Sequence, residues 1–288
     1  MVVTTGFFDG VHTGHRLVIQ RLVCEARDRG QKSLVITFWP HPRTVLQNGA
    51  RDLRLLSSLE EKKRMLYGLG VDRVEVIEFD KAFSRLTAEE YLRDYVRDRF
   101  GGNVVLFGYN HRLGCDAPGA QELQDIAASL GLEAIFAPQT SARVSSTLIR
   151  QALSEGDVKK AGEMLGYGYS LTGVVVAGNR LGRTIGFPTA NLKLYDPLKM
   201  VPGNGVYAVD AFTLGRRFKG MCNIGVRPTV SVGNAPSIET NIFSFDEDIY
   251  GLDLKVTFKE KIRDEIKFPS LQELAEQLAK DRDIAINK

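Results

Sequence analysis

Cysteine is scarce, and the few present form no pattern. Cys24, Cys115 and Cys222 are odd in number and widely spaced, with no C-x-x-C pair. This argues against a disulfide framework and against a structural zinc site. Long hydrophobic runs are missing too: no apolar stretch approaches the roughly 20 residues of a membrane span, and no signal peptide is recognisable. Nor does one sign of charge dominate. Lys and Arg total 38 against 35 Asp and Glu, a net charge of +3. Up to residue 166 the counts are 22 and 21, and beyond it 16 and 14. Neither part has the basic surplus of a domain that lives on phosphate-backbone contacts, so nucleic acid is not expected as a partner. These absences lead to an expectation of a cytoplasmic, membrane-free protein, monomeric or weakly homo-oligomeric, that acts on small molecules.

What is present is enough apolar residue, 43% of 288, to build a core in each of about two domains. The chain opens abruptly in a strand-like run, Val2-Val3-Thr4-Thr5, as expected where natural sequence precedes it. Strand and helix signals then alternate. Strands are expected at Ser33–Phe38, Val71–Phe79, Asn103–Phe107 and Leu132–Phe136. Capping boxes at Ser58/Glu61 and Thr87/Glu90 open helices that end near Gly68 and Arg99. Strands separated by helices imply a parallel sheet covered on both faces, with ligands at its carboxyl ends. A helical stretch, Ser145–Leu165, broken near Gly156-Asp157, is expected to close a first domain at residue 166.

From residue 167 the texture changes. Short strand candidates at Ser170–Val176, Gly205–Thr213, Lys219–Ile224, Ser237–Ser244 and Leu252–Phe258 are punctuated by glycines. Leu252, Leu254, Val256 and Phe258 alternate with Asp253, Lys255 and Thr257. Closely spaced short strands suggest an antiparallel barrel. A last helix starts at Ser270, boxed by Glu273, and runs to about Asp283.

Several segments could carry chemistry. Gly6-Phe7-Phe8-Asp9-Gly10-Val11-His12-Thr13-Gly14-His15 lies between a strand and a helix start. Its glycines let the backbone approach a ligand, the helix N-terminus suits a phosphate, and two imidazoles three residues apart share one face. His41, between Pro40 and Pro42, fits a ligand contact and a stiff packing loop equally well. Arg143-Val144-Ser145-Ser146-Thr147 with Arg150 offers hydroxyls and guanidinium groups at a helix start, a pattern of phosphate sites and of plain N-caps alike. Gly182-Arg183-Thr184-Ile185-Gly186-Phe187-Pro188-Thr189-Ala190-Asn191 is not a P-loop, since no Gly-Lys-Ser/Thr follows. It is a Gly-rich stretch with a basic residue, ending in oxygens able to ligate Mg²⁺, or else a long hairpin connection. Asn223 to Thr229 forms a rigid polar loop, and Glu239 sits in a strand where an isolated Glu is most often a solvent-facing residue.

Together these segments resemble the bacterial bifunctional riboflavin kinase/FMN adenylyltransferases over essentially the whole chain. GFFDGVHTGH, TFWPHP and RVSSTLIR resemble the adenylyltransferase module. GRTIGFPTAN, NIGVRPT, the Glu239 strand, Asp248–Gly251 and Arg263 with Lys267-Phe268 resemble the kinase module. The resemblance implies a nucleotidyltransferase-type (Rossmann-like) parallel α/β domain over 1–166. It implies a six-stranded antiparallel β-barrel with a C-terminal helix over 167–288. It also implies two Mg²⁺-dependent reactions: riboflavin plus ATP gives FMN and ADP, and FMN plus ATP gives FAD and pyrophosphate.

By the same resemblance, Gly6, Phe8, Asp9, Gly10, His12, His15, Arg143, Ser146, Thr147 and Arg150 would bind ATP in the first domain, His12 and His15 stabilising charge on its α-phosphate. Gly182, Arg183, Gly186, Pro188 and Thr189 would bind ATP in the second. Thr189 and Asn191 would hold Mg²⁺, and Glu239 would be the catalytic base. Asn110 in the first domain, and Asn223, Arg227, Arg263 and Phe268 in the second, would contact flavin. One segment departs from the pattern. Where the family has G-x-(Asn/Asp)-Phe-x-Phe-Gly, this chain has Gly108-Tyr109-Asn110-His111-Arg112-Leu113-Gly114, so His111 and Leu113 replace two phenylalanines. The following Cys115-Asp116-Ala117 lacks the basic residue often found there. A kinase with a degenerate first domain, a non-catalytic flavin or nucleotide sensor, and a tRNA-charging relative with an HxGH motif are the competing readings.

Overall fold

The computed structural model describes residues 1–46, 53–109, 111–138, 144–178, 181–226 and 236–288. The chain divides into two compact units, Met1–Ser145 and Ser146–Lys288.

The first unit is a five-stranded parallel sheet in the order β3-β2-β1-β4-β5, formed by β1 (Val2–Thr5), β2 (Ser33–Trp39), β3 (Arg73–Glu78), β4 (Val104–Phe107) and β5 (Glu133–Phe136). All four pairings are parallel. The inner strands β1, β2 and β4 are buried along nearly their whole length because helices cover both faces, whereas the edge strands β3 and β5 carry exposed charges. These are α1 (Thr13–Asp28), the short α2 (Pro42–Leu46), α3 (Leu59–Gly68), α4 (Ala88–Tyr91) and α5 (Ala120–Ser129). The helix at α4 continues through Leu92–Arg99 with a wider, π-type winding. Both expected capping boxes form, with Ser58 and Thr87 accepting from the backbone of Glu61 and Glu90 and the two carboxylates reaching back. The order reverses between β1 and β4, so their carboxyl ends open the crevice where such sheets bind ligands.

The second unit begins with α6 (Ser146–Ser154) and α7 (Val158–Leu165), closed by Gly166 in the left-handed conformation. The sequence pattern assigns these helices to the first domain. In the structure they belong to the compact unit that contains the barrel, where the Gly203 N–H donates to the Leu153 carbonyl. The barrel is closed and six-stranded, in the order β10-β7-β6-β11-β8-β9, with every neighbour antiparallel. Its strands are β6 (Ser170–Val176), β7 (Ala190–Leu194), β8 (Gly205–Thr213), β9 (Arg216–Val226), β10 (Pro236–Ile242) and β11 (Asp253–Arg263).

Two local corrections follow. The stretch from Gly182 to Asn191 is not one loop. It starts in a short helix, α8 (Leu181–Thr184), and ends in β7, a strand too short and polar at its start to show alternation. Leu252 lies before β11 and is exposed, whereas Leu254, Val256 and Phe258 are buried as the alternation requires. A last helix, α9 (Leu271–Ile286), begins at Ser270, whose hydroxyl accepts from the Glu273 N–H. Among the described residues no helix is long and apolar enough to cross a membrane.

Candidate active sites

In the first unit, the segment after β1 turns sharply. Phe8 and Val11 both have positive φ, 50° and 36°, a conformation that costs energy for non-glycine residues and tends to persist at functional loops. The turn is held from beneath. The Asp9 carboxylate is buried and accepts the N–H groups of Leu56 and Ser57 at 2.9–3.1 Å, and the Gly10 N–H donates to the Ser57 hydroxyl at 3.0 Å. Asp9 and Gly10 are therefore loop anchors. His41 is also employed locally: its Nδ1 accepts the Arg43 N–H at 3.0 Å and its ring packs on Phe7.

A cavity of about 700 Å³ opens at the crevice. Gly6, Phe8, His12 and His15 line it together with Thr4, Thr5, Phe38, Phe83, Tyr91, His111 and Leu113. His12 is the N-cap of α1, and its Nδ1 accepts the His15 N–H at 3.3 Å. That bond places the proton of the neutral ring on Nε2. The two imidazoles stack with centroids 3.6 Å apart. Burial lowers His12 to about 4. Burial, followed by the neighbouring His12 and Lys62, holds His15 well below the usual histidine range. His15 Nδ1 is buried and has no hydrogen-bond partner among the described residues. A neutral ring offers one N–H donor, and that of His12, on Nε2, can be given to an oxygen of an anionic ligand.

Lys62 is a component that sequence reasoning missed. It is 1% exposed, and its ammonium donates to the Phe7 carbonyl at 2.9 Å and the Thr37 hydroxyl at 3.0 Å, 3.9 Å from the centre of the Phe7 ring. Burial lowers it to about 8, with Asp9 acting against the shift. The signal was its spacing: Lys62 and Leu66 share the buried stripe of α3, where a charge is out of place.

In the barrel, register brings together residues from separate motifs. Glu239 on β10 pairs directly with Asn191 on β7 and with Asn223 on β9. Cross-strand partners lie side by side on one face. Thr189 Oγ1 lies 3.5 Å from Glu239 Oε2. The close approach behind Asn191 requires a glycine, since a Cβ on Gly178 would meet the Asn191 amide at 2.1 Å.

Two cavities flank this group. One, about 270 Å³, is lined by Arg183, Pro188, Thr189 and the acidic run Asp246–Asp248. The other, about 230 Å³, is lined by Gly182, Thr189, Asn223, Glu239, Arg263 and Phe268. Thr189 belongs to both. Gly186 and Asn191 line neither, and Asn191 is buried behind them. The Arg263 guanidinium is already committed. It makes three contacts of 2.7–3.0 Å to the fully buried Asp281, donates to the Asp264 carbonyl, and lies 5.7 Å from the Phe268 ring centre. It braces the cavity wall rather than offering a free fork. Ser146 and Thr147 open α6 and Arg150 follows one turn on, within the second unit. Asn110, Arg143 and Arg227 lie outside the described residues. Among the described residues no cluster of three or more His, Cys, Asp or Glu side chains could hold a metal ion.

Both parts of the chain are similar to known proteins. A family model described as FAD synthetase matches residues 1–148, and one described as riboflavin kinase matches residues 165–288. A Bacillus subtilis bifunctional riboflavin kinase/FMN adenylyltransferase is 36% identical over 99% of this chain and 91% of its own length. An Escherichia coli K12 relative of the same description is 38% identical over 97% of this chain and 90% of its own. A solved structure from Streptococcus pneumoniae, described as a macrolide-efflux protein, matches with a TM-score of 0.93 at 34% identity, covering 100% of this chain and 94% of that one.

Proposed function

The chain belongs to the bifunctional riboflavin kinase/FMN adenylyltransferase family, and from that premise we propose how its residues divide the two reactions. The barrel part phosphorylates riboflavin to FMN, and the N-terminal part adenylylates FMN to FAD.

For the kinase, the observation that carries the assignment is Thr189, shared by two cavities and adjacent to Glu239. We assign the cavity with Arg183 and Pro188 to ATP and the cavity with Asn223 and Phe268 to riboflavin. The transferring phosphoryl group then passes beside Thr189. Glu239 accepts the proton of the ribityl 5′-hydroxyl as its oxygen attacks the γ-phosphorus and ADP leaves. The hydroxyl of Thr189, on the border of both cavities, is a hard oxygen donor of the kind Mg²⁺ takes alongside substrate phosphates and water, and the amide of Asn191, buried and lining neither cavity, would have to turn toward the phosphates to add a second. Mg²⁺ bound there would neutralise charge on the phosphates. Arg263 acts through Asp281 and Phe268, as a positioning residue.

For the adenylyltransferase, His12 donates through Nε2 to the ATP phosphates, and His15, neutral as well, adds its one ring N–H. An FMN phosphate oxygen attacks the α-phosphorus, and pyrophosphate leaves as the new P–O bond forms. No covalent enzyme intermediate is needed, since positioning and fixed donors supply the catalysis. Gly6 and Phe8 shape the wall, Asp9 and Gly10 hold the turn, and Ser146, Thr147 and Arg150 remain candidates by chemistry alone: hydroxyls and a guanidinium at a helix start. We further propose that the protein needs no nucleic-acid partner, works in a reducing cytoplasmic compartment, and is a monomer or weak homo-oligomer. Support comes from the level charge balance and three free cysteines.

The test is a product assay. Purified protein receives riboflavin or FMN with ATP and Mg²⁺, and flavins are separated by chromatography. FAD from both substrates is expected. FMN accumulating from riboflavin, with nothing made from FMN, would reduce the chain to a kinase. Binding without turnover would leave a sensor.

A further inference from the structure

The corner that carries Thr189 is not held by the ladder of the barrel. β10 and β7 pair at two positions, Glu239 with Asn191 and Thr240 with Ala190. There the pairing stops, and Pro188 and Thr189 lie outside β7. Pro188 has no N–H, so its carbonyl is the one backbone group by which it can be anchored.

A side chain takes that carbonyl. Asn241 Nδ2 donates to the Pro188 oxygen at 2.7 Å. A carbonyl only accepts, so this partner also fixes which way the amide faces. Asn241 is buried and lies two residues after Glu239 on β10. Residues two apart on a strand share a face, and both line the cavity assigned to riboflavin. Pro188 lines the cavity assigned to ATP. A residue of one cavity wall thus holds a residue of the other. Asn241 is itself placed by pairing with Met221 on β9.

The Pro188 carbonyl and the Thr189 nitrogen share one rigid peptide plane. Holding the oxygen holds the plane and sets the direction in which Thr189 leaves it. The other supports of this stretch do not. The Phe187 N–H donates to the Gly182 carbonyl at 2.8 Å, which closes the turn on itself. The Phe187 side chain sits in an apolar cluster with Ala208, Met221 and Ala285. Such packing seats the loop but is non-directional, so it leaves the rotation of the next peptide open. The 3.5 Å between Thr189 Oγ1 and Glu239 Oε2 is long for a hydrogen bond and does not fix the corner by itself.

We propose that Asn241 is a positioning residue of the kinase site: its amide ties the Pro188–Thr189 peptide to β10 and so keeps the Thr189 hydroxyl beside Glu239. This rests on the reading that the transferring phosphoryl group passes that corner. Asn241 acts through Thr189 and not on the substrates.

The experiment measures kcat and KM for riboflavin in FMN formation by the whole chain, as wild type, Asn241→Leu and Asn241→Ala. FAD formation from added FMN is followed on the same preparations. One replacement is larger than asparagine and the other smaller, and what they share is the loss of the donor. Expected in both is a fall in kcat of roughly tenfold or more, since misplacing a group at the reacting centre costs rate. KM for riboflavin should stay within about threefold, and FAD formation within about twofold. Asn241→Leu is then added to Thr189→Val, which keeps the shape of Thr189 and removes its hydroxyl. There it should cost less than about twofold more, because the group it positions is gone. Asn241→Ala decides alone if leucine prevents folding. A kcat within about twofold of wild type, a loss seen only as a raised KM for riboflavin (a substrate contact instead), or an undiminished loss on Thr189→Val (a general disturbance of the barrel) would overturn the assignment. Failure of the underlying reading is told apart without any Asn241 variant: Thr189→Val and Glu239→Gln would then form FMN at the wild-type rate.

Discussion

Thr189 Oγ1 stands 3.5 Å from Glu239 Oε2, and Thr189 borders both barrel cavities. This adjacency makes the pair the point where a phosphoryl donor and a hydroxyl acceptor would meet. Glu239→Gln keeps the shape and removes the base. FMN formation should fall by about 10²- to 10⁴-fold, the usual worth of a general base. FAD formation from added FMN should persist. If flavin chromatography shows both activities lost in a folded variant, the division of labour between the two parts is wrong.

His12 offers the complementary case. His12→Ala removes the Nε2 donor and the acceptor of the His15 N–H. FAD formation from FMN should drop by about 10²- to 10³-fold, as for loss of one preorganised donor, while FMN still accumulates from riboflavin. A variant that makes FAD at the wild-type rate would remove His12 from the chemistry.

Acid should weaken the first unit. His12 and His111 both have folded values lowered to about 4 by burial, against an ordinary 6.5. Below 6.5 the unfolded chain takes up protons that the folded one refuses, so stability is complete above 6.5 and declines as pH falls toward 4. Each histidine contributes at most about 1.4 kcal/mol per pH unit within that window. The urea midpoint should fall between pH 7 and pH 5, and by less in His111→Phe. An equal fall in both proteins would show that His111 does not titrate as described.

Lys62→Met replaces a buried cation by an apolar chain of similar length. It removes both hydrogen bonds of the ammonium and leaves the Phe7 carbonyl with the Thr37 hydroxyl alone, 3.2 Å away, at a cost of about 1 kcal/mol per bond lost. The loop that carries His12 should loosen, raising KM for ATP in FAD formation and leaving kinase kinetics as they were. Steady-state kinetics of both reactions on one preparation decide this, and unchanged adenylylation would make Lys62 a bystander.

Arg263 and Asp281 join β11 to α9 through a carboxylate with no solvent exposure. Asp281→Ala leaves the guanidinium without its partner and should cost about 3–5 kcal/mol, as breaking buried pairs does. Calorimetry should show the barrel unit unfolding at lower temperature, and the riboflavin KM should rise as Phe268 loses its support. A transition unmoved by the substitution would contradict the brace.

By itself the sequence determined the elements and the order of the motifs. Alternation, capping boxes and glycine punctuation are local signals, and they predicted five parallel strands and most of a barrel. Family-specific spacing then pointed to His12, His15, Thr189 and Glu239. The tertiary structure decided what those residues meet. Cross-strand register set Glu239 between Asn191 and Asn223, although nearly 50 residues separate Asn191 from Glu239 in the chain. Local pattern does not carry such pairings, because they are fixed by closure of the whole barrel. The same holds for α6 and α7, whose periodicity shows a buried face without saying which core receives it. Lys62 and Asp281 meet partners far away in the chain, and only packing, which removes water and leaves specific partners, made these charges structural.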